Sequence, residues 1–171
     1  MTNSIDFKTV LEQCKNLIDR NQIGKRVRFD DFKVVANLDA KKIEETMKEI
    51  IVKGDSQNLN YFSEIVAIGL KCSGVKMNRI RNIFGYIKKV EINETGKQGD
   101  LSDETVMRLN LLLPKISYLI GRAEPYEKQG LDLVKQCIEK GVSLVNKNRE
   151  YFKNFNYFFE AVISYFRFYY K

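Results

Sequence analysis

Arg81 and Lys88 stand seven residues apart, and so do Lys115 and Arg122. On an α-helix a step of seven residues returns to within about 20° of its starting direction, so each pair projects from one side of its helix. Gly85 lies between the first pair and leaves bare backbone there, with Asn82 and Lys89 flanking. Tyr118 lies between the second pair, with Gly121 alongside. Arg meets a phosphate through a bidentate fork and Lys as a mobile point charge. Two such helices packed antiparallel present a row of cations to successive phosphates of one strand. Contacts of this kind position a backbone and read no bases, so binding independent of nucleotide sequence is expected. Lys76, Arg79 and Lys89 are secondary candidates for the same role. Arg79 has an alternative partner in Tyr86, seven residues on, against which it could stack. Arg122 has one in the carbonyls at its helix end.

The composition offers little to catalysis. The 171 residues include no His, which excludes a Ser-His-Asp triad, a Cys-His pair and an HExxH zinc site. Cys14, Cys72 and Cys137 stand 58 and 65 residues apart and form no CxxC pair, so no zinc cluster is expected. Three sparse cysteines fit buried free thiols in a reducing compartment. Adjacent carboxylates occur at Asp30–Asp31 and Glu44–Glu45 and could in principle hold a divalent metal. Neighbours on a helix point about 100° apart, however, and no Glu-x-x-His partner exists. The expectation is a protein without enzymatic activity, cofactor or metal.

Charge points the same way as spacing. There are 29 basic and 22 acidic residues, a net charge of +7 with pI near 9.2. Residues 76–92 carry a net +4, and residues 105–123 carry +3 with no acid at all. These two windows hold the entire excess. A single basic window is commonly just solvated lysines. Two that absorb the whole imbalance favour a surface facing a polyanion.

These residues need elements to position them, and the apolar pattern is helical throughout. Val10, Leu11, Cys14, Leu17 and Ile18 mark a first helix from about Ile5 to Arg20. Asn21–Val27 reads as a connection turning at Gly24. Arg28–Leu38 fits no single period. Asp39 is a good N-cap for a helix whose stripe is Ile43, Met47, Ile50 and Ile51. The stretch Leu59–Lys71 is apolar on most faces and is expected to be central. Further helices are expected from about Asn78 to Ile92, from Ser102 to Arg122 with a bend at Pro114, from Tyr126 to Lys140, and from Tyr151 to Tyr170. No segment shows sustained alternation of apolar and polar residues. The reading is an all-α, single-domain bundle of six to seven helices. No run approaches the roughly 18 apolar residues of a membrane span, and the N-terminus lacks the pattern of a secretory signal. A soluble cytoplasmic protein is expected.

Residues 151–171 hold 11 of the 20 aromatics. They could form a platform for stacking bases. Phe155, Phe158, Phe159, Val162, Phe166 and Tyr169 nevertheless fall on one helical stripe, the pattern of a buried face. The outer tyrosines, Tyr151, Tyr157, Tyr165 and Tyr170, suit an interface.

Three segments carry a resemblance. Asn78-Arg79-Ile80-Arg81-Asn82-Ile83-Phe84 resembles the Ser-x-Ile-Arg-Asn-Ile-Leu helix start of the small helical subunit of type III-A CRISPR (Csm) effector complexes. Lys115-Ile116-Ser117-Tyr118-Leu119-Ile120-Gly121-Arg122 resembles that family's Lys-x-x-Tyr-x-x-Gly-Arg segment. Phe158-Phe159-Glu160-Ala161-Val162-Ile163-Ser164-Tyr165-Phe166-Arg167-Phe168-Tyr169 resembles its Phe-x-Glu-Ala-x-x-Ala-Tyr-His-x-Phe close. Asn78 stands in place of a Ser or Thr, Ser164 of an Ala, and Phe166 of a His. The segments follow the family's order and cover about residues 71–171, while residues 1–70 match no recognised pattern. The resemblance implies a non-catalytic helical subunit that lines a ribonucleoprotein complex. Its partners would be guide CRISPR RNA and target RNA, the backbone subunits, the large polymerase-like subunit, and further copies of itself along a filament. The equivalent subunit of a type III-B complex, or a free-standing helical nucleic-acid-binding module, is the alternative.

Overall fold

The computed structural model describes residues 6–22 and 27–171. Its elements are α1 (Phe7–Gln22), α2 (Phe29–Ala36), α3 (Ala40–Ile51), α4 (Ser56–Cys72), α5 (Met77–Glu94), α6 (Asp103–Asn110), α7 (Leu112–Gly121), α8 (Pro125–Val145) and α9 (Arg149–Tyr170). No strand occurs among the described residues, and the all-α expectation holds. The start of the first helix at Ile5 and the turn at Gly24 fall outside the described residues.

Side-chain caps set several helix starts. Asp39 accepts from the Lys42 N–H at 2.8 Å, and Ser102 accepts from that of Thr105 at 3.2 Å. Asp55 accepts from the N–H groups of both Gln57 and Asn58 at 3.0 Å. Its cap begins α4 at Ser56, ahead of the first apolar residue, Leu59. Each such cap satisfies a donor with no partner inside the helix and contributes about 1 kcal/mol.

Three elements depart from the periodicity. The ambiguous stretch after Arg28 forms α2, a helix of 8 residues that buries only Phe32 and Ala36. Two turns are too few to establish a period. The helix through Pro114 breaks at Leu111, three residues ahead of the proline. A proline ring clashes with the carbonyl four residues earlier, here Asn110, so the chain breaks there. Pro114 then sits in the first turn of α7, where a missing N–H costs nothing. The helix expected to stop at Lys140 continues to Val145. Gly141 is no terminator; a Cβ there would lie 2.7 Å from the Phe155 ring, so the glycine lets α8 touch α9. The described residues therefore form nine helical segments rather than six or seven.

Every residue of α4 from Phe62 to Leu70 is buried, and α4 packs against α1, α2, α3, α8 and α9. The stripe on α9 is core, as its spacing indicates. Phe155, Phe158, Phe159, Val162 and Phe166 are all 0% exposed. Phe62 stacks on Phe158 with centroids 5.6 Å apart, and Phe84 of α5 meets Phe159 at 5.8 Å. Tyr169 is only partly buried and donates its hydroxyl to Glu64. One hydrophobic cluster runs from α1 to α9. No described helix is long and apolar enough to cross a membrane.

Candidate nucleic-acid interface

Helix α5 buries Ile80, Ile83, Phe84, Ile87 and Val90 and turns Arg81, Gly85, Lys88 and Lys89 to solvent. It runs antiparallel to α6–α7. Near its start, Arg79 donates to the Arg122 carbonyl at 3.2 Å. Further on, Tyr86 lies 4.5 Å below the Lys115 ammonium and donates its hydroxyl to the Arg108 carbonyl at 3.1 Å. Residue numbers thus rise along α5 as they fall along its neighbour.

Buried carboxylates clamp α5 at both ends. At the start, Glu127 is 0% exposed and accepts from the Lys76 N–H at 3.1 Å, the Glu124 N–H at 3.0 Å and the Arg79 Nε at 2.9 Å. Burial pushes this carboxyl up, but the hydrogen bonds from Glu124, Lys76 and Arg79 outweigh it and hold the group below its ordinary value. At the far end, Glu94 accepts from the Thr105 and Ser102 hydroxyls, and Arg149 lies 2.8 Å away. Burial again raises and the bonds from Thr105, Arg149 and Ser102 again win, so Glu94 is also held low.

Between α5 and α7 lies a cleft of ≈ 750 Å³. Arg81, Lys89 and Lys115 line it, with no carboxylate among the lining residues. The side chains of Arg81 and Lys89 have no hydrogen-bond or ion-pair partner among the described residues. Tyr118 lines the same cleft and is 60% exposed. Arg122 donates to its hydroxyl at 2.6 Å, so the fourth cation of the sequence pattern stands at the edge of the cleft rather than capping carbonyls.

Not every sequence candidate gathers here. Lys88 lies on the next groove, of ≈ 300 Å³, between α5 and α9. It is paired with Glu91 at 2.8 Å, and this hydrogen bond raises the Lys88 pKa. Arg81 and Gly85 line both grooves, and Lys89 takes the place beside Lys115 that spacing assigned to Lys88. Arg81, Gly85 and Lys89 form an i, i+4, i+8 row, one of the natural ridges of a helix. Arg79 is engaged by Glu127, which lies 48 residues away in sequence and which no local spacing could reveal. The alternative of Arg79 stacking on Tyr86 is not realised; Lys115 lies over that ring instead. Lys76 occupies the N-cap position of α5, and its side chain is exposed without a partner among the described residues. Asn78 is the second residue of α5 rather than its N-cap, and Glu127 of α8 accepts from the Lys76 N–H at the helix start.

Three of the four paired carboxylates have structural partners. Asp31 accepts from the Arg28 N–H at 2.8 Å, Glu44 meets Lys140 at 3.0 Å and Glu45 meets Lys41 at 4.0 Å. No group of three or more His, Cys, Asp or Glu among the described residues is placed to hold a metal. All three cysteines are free. Burial pushes the Cys14 and Cys72 thiols up to about 12, and Cys137 also rises.

Fold and surface together define a small all-helical module with a cleft lined by cations and tyrosines. A family model, Csm2 of type III-A, matches residues 53–171, more than two thirds of the chain. The chain belongs to that family, the small subunit of type III-A CRISPR effector complexes, which assembles with the other Csm subunits. The match takes in α4 through α9 and begins earlier than the three quoted segments. It also decides type III-A over the type III-B alternative. No curated protein and no solved structure matches the chain.

Proposed function

We propose that this subunit supports the guide–target duplex of its effector complex by holding RNA phosphates along the α5–α7 cleft, without reading sequence and without catalysis. Arg81, Lys89 and Lys115 line the cleft, Arg122 stands at its edge, and Lys88 extends the surface onto the neighbouring groove. Lys76 adds charge at the start of α5. Arg79 serves the fold instead. The chain acts as one unit in the cytoplasm, and successive copies associate along the complex with the backbone and large polymerase-like subunits. The observation that carries this reading is a cleft lined by three cations and no carboxylate, two of them without partners among the described residues. Cations left unpaired in a concave surface concentrate field lines and attract a polyanion.

The test uses the assembled complex at two salt concentrations. Each phosphate contact contributes roughly −0.7 to −0.9 to the slope of log affinity against log salt, so four contacts per copy give about −3. Arg81→Ala is expected to reduce that slope by nearly one unit with no change in sequence preference and with assembly intact. Normal assembly with an unchanged salt slope in both Arg81→Ala and Lys115→Ala would refute the reading.

A further inference from the structure

Phosphate binding alone does not account for the shape and chemistry of the α5–α7 cleft. A volume of ≈ 750 Å³ is far larger than a phosphate group. Its lining is amphipathic: Ile83, Pro114 and Leu119 stand beside the cations. Phosphates gain nothing from apolar walls, whereas a base has two apolar faces and polar edges.

Tyr118 is the exposed aromatic side chain of this lining. It is 60% exposed, yet Arg122 fixes its hydroxyl. An aromatic ring held in place but not buried is a preorganised stacking surface, because little freedom remains to be lost on binding. Tyr86 is half-buried and carries Lys115 over its ring at 4.5 Å, whereas Tyr118 is largely exposed and has Arg122 5.6 Å from its ring centroid, so a base would stack on the face opposite that guanidinium. The exposed Asn82, with an amide that can donate or accept, lines the same cleft.

We infer that the cleft takes an unpaired nucleobase, stacked on Tyr118, while the flanking phosphates rest on Arg81 and Lys89. The inference rests on the phosphate-binding reading and adds to it: the subunit holds one base of a single strand as well as its backbone. The acid-free lining favours a nucleotide over a protein segment, whose carboxylates alone would suit these cations and leave Tyr118 idle.

The test compares two probes on the full chain at low salt: a short oligouridylate and an abasic strand of equal length and charge. Stacking on an aromatic ring is worth about 1–3 kcal/mol per base, so the oligouridylate should bind roughly 5- to 150-fold more tightly. Tyr118→Leu should abolish that preference without changing affinity for the abasic strand, and Tyr118→Phe, which keeps the ring but loses the bond from Arg122, should retain part of it. Because Tyr118 is largely exposed, neither change threatens the fold. Equal binding of the two probes by the unaltered chain would overturn the base-docking inference. If Arg81→Ala still reduced the salt slope in that case, the phosphate reading would stand alone. A preference that survives Tyr118→Leu would also overturn the inference. No binding of either probe at millimolar protein would count against both.

Discussion

Arg79 and Arg81 are two residues apart on α5 and do opposite work. Two residues turn a helix by about 200°, so one side chain faces inward when the other faces out. Arg79 is 19% exposed at the side chain and is bound to a fully buried carboxylate. Removing one partner of a buried pair strands the other charge. Arg79→Ala should therefore cost about 3–5 kcal/mol, measured by urea denaturation. Arg81→Ala leaves nothing unpaired and should change stability by no more than about 0.5 kcal/mol. Equal losses from the two substitutions would contradict this division. The sequence marks both residues as cations on one basic helix. The discriminating fact, Glu127 packed from α8, is a tertiary contact.

At the scale of elements, the aromatic end of the chain and the glycine of α5 make contrasting predictions. Phe159 lies fully buried among Phe84, Phe155 and Phe158. Phe159→Ala should cost roughly 3–5 kcal/mol in chemical denaturation, the range for a large aromatic deleted from a core. Loss of RNA affinity without loss of stability would return this helix to the stacking role its composition also allows. Gly85 is exposed in mid-helix, and a Cβ there would meet nothing within 4 Å. Glycine in such a place is about 0.5–1 kcal/mol worse than alanine. Gly85→Ala should thus raise thermal stability; a lower melting temperature would show that the backbone there is constrained in some other way. Helix existence was legible in the sequence because six of the nine described segments bury a long stripe at helical spacing. Some of their ends were legible too, as the Asp39 cap of α3 shows; others were not. Asp55, Gly141 and Pro114 act through a cap, a close approach and a steric clash, none of which periodicity registers.

For the molecule as a whole, the two clamps on α5 set an acid limit. Glu94 and Glu127 both lie below their ordinary value of 4.5 in the folded state. A depressed carboxyl contributes stability above its unfolded pKa and loses it as pH falls through the lower folded one. Stability to urea should therefore be level near neutrality and fall below about pH 4.5, with Glu127→Gln flattening part of that fall. An acid profile unchanged by that substitution would remove Glu127 from the account.

By itself the sequence determined the class of fold, the buried stripe of α9, the lack of His-based chemistry and the two basic helices. Those features follow from residue type and from spacing within one element, where a fixed rise and turn per residue convert sequence into direction. Only the tertiary structure decided which cations share a cleft. Lys89 entered beside Lys115, Lys88 turned to the other groove and paired with Glu91, and Arg79 was drawn to Glu127. The reason is physical. A cation's role depends on whether a carboxylate from elsewhere in the chain lies within reach of it, and that distance is set by how helices pack, not by how far apart residues stand along one of them.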